Sequence, residues 1–306
     1  LATNGSVSAR TRQRVIAVAE GLNYLPDLAA RRLITGRSGN IGLLVPDLSN
    51  PFFADIAKGV QQSMRERNGA LFISDSDEQV RYELPAVRQL SRQVDGIIMC
   101  SPRMSDEALL DLAESTKMVL LYRTVGAVPA VVADWADGMR QAVANLHALG
   151  HRSIAYAAGP PASWSGARRL EGLHAAADAL GVDLIELGSV APTFDGGLVA
   201  ADLLMATPAT ALIGYNDQVV LGVLSRLHAR GVRIPQQMSL IGCDNVRMAA
   251  MSSPLLTTVA VPRAEAGVEA VAMLDRVLAG EDPASLPVTV LPTHLVVRDT
   301  TDVPGR

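Results

Sequence analysis

The chain has 306 residues, 49% apolar and 19% charged, a globular composition with room for about two domains of roughly 150 residues. It contains no run of 18 apolar residues, which excludes a membrane-spanning helix. Its start, LATNGSVSARTRQRV, lacks the apolar stretch and cleavage site of a secretory signal.

Net charge is −4, yet residues 1–40 hold six arginines against Glu20 and Asp27, a local +4 that leaves −8 on the remainder. That asymmetry fits an anionic partner for the arm, or equally a solvated helix with incidental arginines. Only Lys58 and Lys117 are lysines; arginine spread along the whole chain fits a GC-rich coding bias better than phosphate recognition. Cys100 and Cys243 are the only cysteines, too few for a disulfide framework or a four-cysteine zinc site. They read as free thiols, with the cytoplasm as the expected compartment.

In chain order, SARTRQRVIAVAEGL (8–22) reads as a helix with Ser8 as N-cap and an apolar stripe through Val15, Val18 and Leu22. Pro26 breaks it, and Asp27 starts a short helix, LAARRLIT, that Gly36 ends. From residue 41 apolar strands alternate with amphipathic helices. IGLLVP (41–46) is a buried strand and PFFADIAKGVQQSMRERN (51–68) a helix with proline at its first position. Strands at 70–75 and 95–101 flank a helix over 78–93, which Pro85 should kink or truly begin. Strands at 118–123 and 130–134 follow, then a helix from Gly138, a strand at 153–159 and a helix at 165–181. A further strand, LIELG, and a helix, GLVAADLLMA, precede strand 209–215 and the helix from Asp217. Strands at 238–244 and 256–261, helix 264–280 and strands VTVLP and THLVVRD close the chain. Continuous apolar strands in βα alternation mean parallel sheets covered on both faces, and ten or so strands suit two doubly wound domains better than one.

Ligands of such sheets bind at the carboxyl ends of strands. Polar residues recur there: Asp47, Ser49 and Asn50; Asp75 and Asp77; Ser101; Arg123; Asp134; then Ser163, Ser165, Asn216, Asp217, Asp244 and Asn245 in the second half. No G-x-G-x-x-G follows a strand, and neither a P-loop nor a G-x-S-x-G elbow occurs. His147 and His151 are four apart, but Gly150 should end the helix between them, so interaction with the helix C-terminus accounts for them better than a metal. Asp75 and Asp77 read as caps or solvated residues sooner than an acid/base pair. Neither a cofactor, a metal nor a catalytic group is expected.

The segments TRQRV, LNYLPDLAARRL, IGLLVPDLSNPFFADIAKGV, VDGII, LGHRSIAY, RRLEG, YNDQVVLGVL, GVRIPQQMSLIGCDN and PLLTTVAVP stand in this order along the chain. In them the chain resembles the lactose-repressor (LacI/GalR) family of bacterial transcription regulators. The resemblance implies a periplasmic-binding-protein-like α/β core of two doubly wound parallel-sheet subdomains, behind a remnant of a helix-turn-helix headpiece and a hinge helix. It places the partial headpiece at 1–24, the hinge and linker at 25–40, one subdomain at 41–134 plus 262–291, and the other at 135–261 plus 292–306. Against the family pattern, roughly twenty residues that carry the first two headpiece helices are missing, so specific DNA binding is expected to be weak or lost.

The resemblance also implies partners: palindromic operator DNA, a second copy of the chain, and a small effector, foremost a sugar or sugar derivative and after it a nucleoside or nucleobase. No membrane partner is implied. On DNA, Leu33 matches the leucine that wedges into the minor groove, flanked by Ala30, Arg31 and Arg32, while Asn4 matches a backbone-positioning residue and Tyr24 a packing one. For the effector, Asn50, Phe52, Phe53, Arg169, Asn216 and Asp244 match ligand contacts, and Arg123, Asp134 and Ser165 match positions used by some members. Tyr122 and Ala260 depart from the pattern, standing where other members keep an aspartate and a polar amide. Taken alone, Arg169 and Asp244 also fit a structural ion pair, Trp164 a lid or a loop residue, Cys243 a buried thiol and Asp217 a helix cap. A transport solute-binding protein is the first rival reading; an enzyme using Asp77 or Asp134 is the second.

Overall fold

Two six-stranded sheets organise the chain in the computed structural model, which describes residues 8–21 and 37–305. Helix α1 (Ala9–Gly21) opens it, with the Ser8 hydroxyl accepting from the Thr11 backbone N–H at 3.3 Å. Asn4, Tyr24, Ala30, Arg31, Arg32, Leu33 and the hinge segment lie outside the described residues.

The first sheet contains β1 (Ile41–Val45), β2 (Leu71–Asp75), β3 (Gly96–Cys100), β4 (Met118–Leu121), β5 (Ala130–Ala133) and β11 (Thr289–Leu291), ordered β11-β5-β4-β3-β1-β2 and wholly parallel. The second contains β6 (Ser153–Ala158), β7 (Asp183–Ser189), β8 (Ala211–Gly214), β9 (Ser239–Asp244), β10 (Thr257–Ala260) and β12 (His294–Val296), ordered β12-β10-β9-β8-β6-β7. Only the β10–β12 pair is antiparallel. Strands β1, β3, β4 and β5 are buried at every residue, which is why they read as unbroken apolar runs rather than alternating ones. The chain passes between the lobes three times: after β5, after β10 and between β11 and β12.

Helices α2 (Pro51–Glu66), α3 (Val80–Leu90) and α4 (Asp106–Ser115) follow the first three strands. In the second lobe come α5 (Trp135–Ala148), α6 (Trp164–Leu180), α7 (Phe194–Leu204) and α8 (Asp217–Ala229). Helix α9 (Arg263–Ala279) returns to pack on α2. That approach is close: a Cβ on Gly59 would collide with the backbone of Ala264, so only glycine fits there.

Three expectations are corrected. Helix α4 has no counterpart in the sequence reading, although Ser105 caps it by accepting from Ala108 N–H and Asp106 and Glu107 sit in its first turn, as the helix dipole favours. Pro85 does not begin α3 but lies inside it, so only the second of its two expected places is corrected. Helices α5 and α7 each begin three residues before the expected Gly138 and Gly197, because Asp134 and Thr193 cap earlier turns.

Candidate functional site

The carboxyl ends of both sheets face a narrow cavity of about 30 Å³, well below the size of a ligand pocket, so the lobes must part for a metabolite to enter. On the first lobe, Asn50 ends the loop after β1, and its side-chain oxygen caps α2 by accepting from Phe52 N–H at 3.0 Å. Phe52 and Phe53 are thereby fixed edge-to-face at 5.1 Å, and the aromatic wall continues through Tyr122 and Trp135 with ring centroids 5.4 and 5.8 Å apart. Ser101, Glu78 and Arg103 complete this rim. Arg103 donates from Nε and Nη2 to the Glu78 carboxylate at 2.9 and 3.1 Å. Behind it the buried Glu83 carboxylate accepts the backbone N–H groups of Arg103 and Met104, and burial raises its pKa.

The second lobe contributes Arg169, Asn216, Asp244 and Ser165, with Tyr215 and Pro192. Arg169 is buried between the rings of Trp135 and Tyr215, 4.7 and 4.3 Å from their centroids, a stacking arrangement that suits a planar cation. Its Nη1 donates to the Tyr215 carbonyl at 2.8 Å and the Cys243 sulfur at 3.3 Å, and its Nε to the Ser165 carbonyl at 3.3 Å. It pairs with no carboxylate among the described residues, so the alternative of an Arg169–Asp244 ion pair is not what the structure holds. Burial and then the neighbouring Asp217 raise the Asp244 carboxyl well above the usual range, against the pull of Arg169 and Arg263. Its backbone lies at φ +116°, strained for a non-glycine residue. Cys243 and Cys100 are buried thiols, each pushed up to about 12 by desolvation.

The structure thus brings Asn50, Phe52, Phe53, Ser165, Arg169, Asn216 and Asp244 to one cavity, and leaves Arg123 and Asp134 off it. Arg123 turns away because the unforeseen α4 supplies the Asp106 carboxylate at 2.7 Å, while the Pro102 carbonyl accepts its other arm at 2.9 Å. Asp134 is consumed as the N-cap of α5, accepting from Asp137 N–H at 3.0 Å. Asp217 is no helix cap. Asn216 caps α8, accepting from Val219 N–H, while the fully buried Asp217 carboxylate accepts from Val246 N–H at 2.8 Å and the Thr258 hydroxyl at 2.5 Å. Gly242 makes room for it, since a Cβ there would strike that carboxylate.

Trp164 lies under Arg168 at 5.5 Å, off the cavity. Asp75 accepts from Leu48 and Asp77 N–H, each at 2.7 Å, as a turn residue does. His151 follows the C-terminus of α5, its backbone N–H donating to the Leu146 carbonyl at 3.0 Å, and its buried ring bonds Thr210 at 2.8 Å, Ser239 at 3.1 Å and the Asp302 carbonyl at 2.9 Å, tying down the final segment. Among the described residues no cluster of three or more His, Cys, Asp or Glu could hold a metal, and no helix is long and apolar enough to cross a membrane.

The sequence reading named Glu78, Arg103, Trp135, Pro192 and Tyr215 nowhere as site residues, and Tyr122 only as a departure. Each lies within three residues of a strand or helix end that it did mark, except Pro192 in the loop before α7. Direct contacts cross between the lobes, the Tyr122–Trp135 ring contact among them. The Ser165 hydroxyl donates to the Tyr122 carbonyl at 2.9 Å. Arg263, paired with Asp55 on α2, donates to the backbone carbonyls of Asp244 and Asn245.

Two parallel-sheet lobes, three crossings and a small polar cavity at their strand ends define a periplasmic-binding-protein-like ligand-binding core. A family model of the periplasmic binding protein-like domain matches residues 143–301. The regulator DegA of Bacillus subtilis is 31% identical over 97% of this chain and 91% of its own length. A LacI family regulator from Enterococcus faecium, solved with bound ribose, has a TM-score of 0.76 and 29% identity, covering 86% of this chain and 99% of its own. The lac repressor dimer, solved on operator with an anti-inducer, has a TM-score of 0.84 and 26% identity, covering 97% and 92%. The chain belongs to the LacI family of transcriptional regulators.

Proposed function

We propose that this chain is a cytoplasmic, ligand-responsive repressor that binds a palindromic operator as a homodimer and a small sugar-like effector between its lobes. The two lobes are assigned as 41–134 plus 262–291 and 135–261 plus 292–306, behind a headpiece and hinge over 1–40. The observation that carries the reading is the cavity itself: its lining alternates aromatic faces with hydrogen-bonding groups from both lobes, the surface a sugar ring needs. Related proteins solved with ribose, or on operator, support the same assignment.

A ligand held by both lobes stabilises one inter-lobe arrangement over others and so shifts the population that can engage DNA. Arg263 and Ser165 are where that arrangement is registered within the protein. No catalytic role is assigned to any residue here: the carboxylates that could act as bases are spent, Asp134 on a helix cap and Asp77 in a turn. Asn4, Ala30, Arg31, Arg32 and Leu33 are assigned to DNA on the family match.

Thermal unfolding against pentoses, hexoses, nucleosides and nucleobases tests the reading. A ligand at a hundred times its dissociation constant adds about 2.7 kcal/mol, a clear rise in melting temperature that Asp244→Ala should abolish. A shift unaffected by Asp244→Ala would contradict the site.

A further inference from the structure

Arg263, the first residue of α9, spans the lobe boundary with one guanidinium. Its Nε and Nη2 meet the Asp55 carboxylate on α2 at 3.2 and 3.1 Å, within its own lobe. Its Nη1 donates to the Asp244 carbonyl and its Nη2 to the Asn245 carbonyl, the latter at 3.0 Å, on the loop that follows β9 in the other lobe. A planar fork of five donors serves a carboxylate on one edge and carbonyls on another, a geometry that a lysine ammonium does not fix. The position is otherwise unfavourable for a cation. The N-terminus of a helix repels positive charge, and Pro262 before it supplies no side-chain cap.

The two ends of this contact differ in stiffness. Gly59 on α2 and Gly267 on α9 bring backbone against backbone: a Cβ on the first would strike Ala264, and a Cβ on the second the Ile56 carbonyl. Helices α2 and α9 are therefore locked together, and Arg263 moves with them. The loop is strained instead, with Asp244 at φ +116° and Asn245 at φ +54°, a conformation that persists only where its surroundings hold it. Its own lobe holds the N–H groups: Asn245 N–H donates to the Thr258 hydroxyl at 3.2 Å and Val246 N–H to the Asp217 carboxylate at 2.8 Å. Arg298 donates to the Asn245 side-chain oxygen at 2.7 Å. The first lobe's Arg263 takes the two carbonyls, so the loop that carries the cavity-lining Asp244 is set from both lobes at once.

Resting on the effector reading above for the role of Asp244 alone, we propose that Arg263 is an inter-lobe clamp. It favours the closed arrangement in the ligand-free chain and makes the shape of the Asp244 loop depend on the angle between the lobes. When the lobes part, as entry of a metabolite requires, the fork leaves the two carbonyls and Asp244 and Asn245 relax. When they close, the fork restores the strained form. Asp55 is the positioning residue that aims the fork.

The test needs no effector. Amide hydrogen exchange and small-angle X-ray scattering are measured on the ligand-free chain and on its Arg263→Met and Asp55→Asn variants. In Arg263→Met, exchange at the Asn245 and Val246 N–H groups should quicken roughly tenfold or more, as expected for losing hydrogen bonds from a charged donor, and the radius of gyration should rise. Strand β8, inside the second lobe, should exchange as before, which separates a released clamp from general destabilisation. Asp55→Asn should shift both readouts the same way by less, and it carries the test should Arg263→Met not fold. Faster loop exchange at an unchanged radius of gyration in both variants would overturn the clamp and leave Arg263 a local anchor. No change in either readout would overturn the anchoring as well. The sugar titration above can fail without altering these results, and these can fail without altering it.

Discussion

The two rims of the cavity treat their charges in opposite ways. On the first lobe the charged groups at and behind the rim are answered within the protein: Arg103 by Glu78, and Glu83 by two backbone N–H groups. On the second lobe Arg169 and Asp244 face the cavity without ionic partners, buried at 4% and 6% exposure. The first rim is complete without a ligand and holds its shape. The second keeps unmet bonding capacity, which is what a responsive site needs, because only an interaction made on binding can shift a population.

Breaking the complete rim should cost folding, and breaking the incomplete one should cost binding. The largest effect expected is from Glu83→Ala, which strands two buried backbone N–H groups. At about 1–3 kcal/mol each, the loss is roughly 2–6 kcal/mol in urea unfolding; a loss below about 1 kcal/mol would contradict a structural role for that carboxylate. Arg169→Met strands only the Tyr215 carbonyl, a smaller cost of about 1–3 kcal/mol to the fold, and should lower effector affinity about a hundredfold, roughly 2.7 kcal/mol. If calorimetry found the affinity unchanged, the second rim would not be the binding one.

A smaller effect concerns pH. Burial pushes the Asp217 carboxyl up to about 7, whereas an aspartate in the unfolded chain titrates near 3.9. The folded state therefore holds this proton more tightly. Its stabilising contribution is whole below about pH 4 and is lost as pH rises through about 7. Urea midpoints should fall between pH 5 and pH 8, and Asp217→Asn should flatten that fall; an equal slope in the variant would place the titration elsewhere. The smallest effect expected is from Ser165→Ala, which removes one inter-lobe hydrogen bond at a cost of about 1 kcal/mol, measured as a lower melting temperature.

The same contrast explains what the sequence made legible. Both sheets were readable because fully buried strands leave continuous apolar runs such as IGLLV and GIIMC, which need no knowledge of neighbours. The strand ends were equally readable as the place of the site. Which side chain enters the cavity was not, because a helix N-terminus competes for the same polar residue. Asp134 is taken by α5, and its neighbour Trp135 lines the cavity instead, whereas Asn216 caps α8 and still lines the cavity beside Tyr215. Arg123 went astray for a longer-range reason. Its partner Asp106 starts a ten-residue helix too short and acidic to stand out by periodicity.

The central claim is that one small ligand bonds both lobes at once. Amide hydrogen exchange tests it directly, with and without whichever of D-ribose, D-glucose and D-gluconate stabilises the chain most. The account predicts slowed exchange together in residues 50–54 and 121–123 of the first lobe and in 165–170 and 243–246 of the second. Protection confined to one lobe, with the other unchanged at saturating ligand, would contradict it.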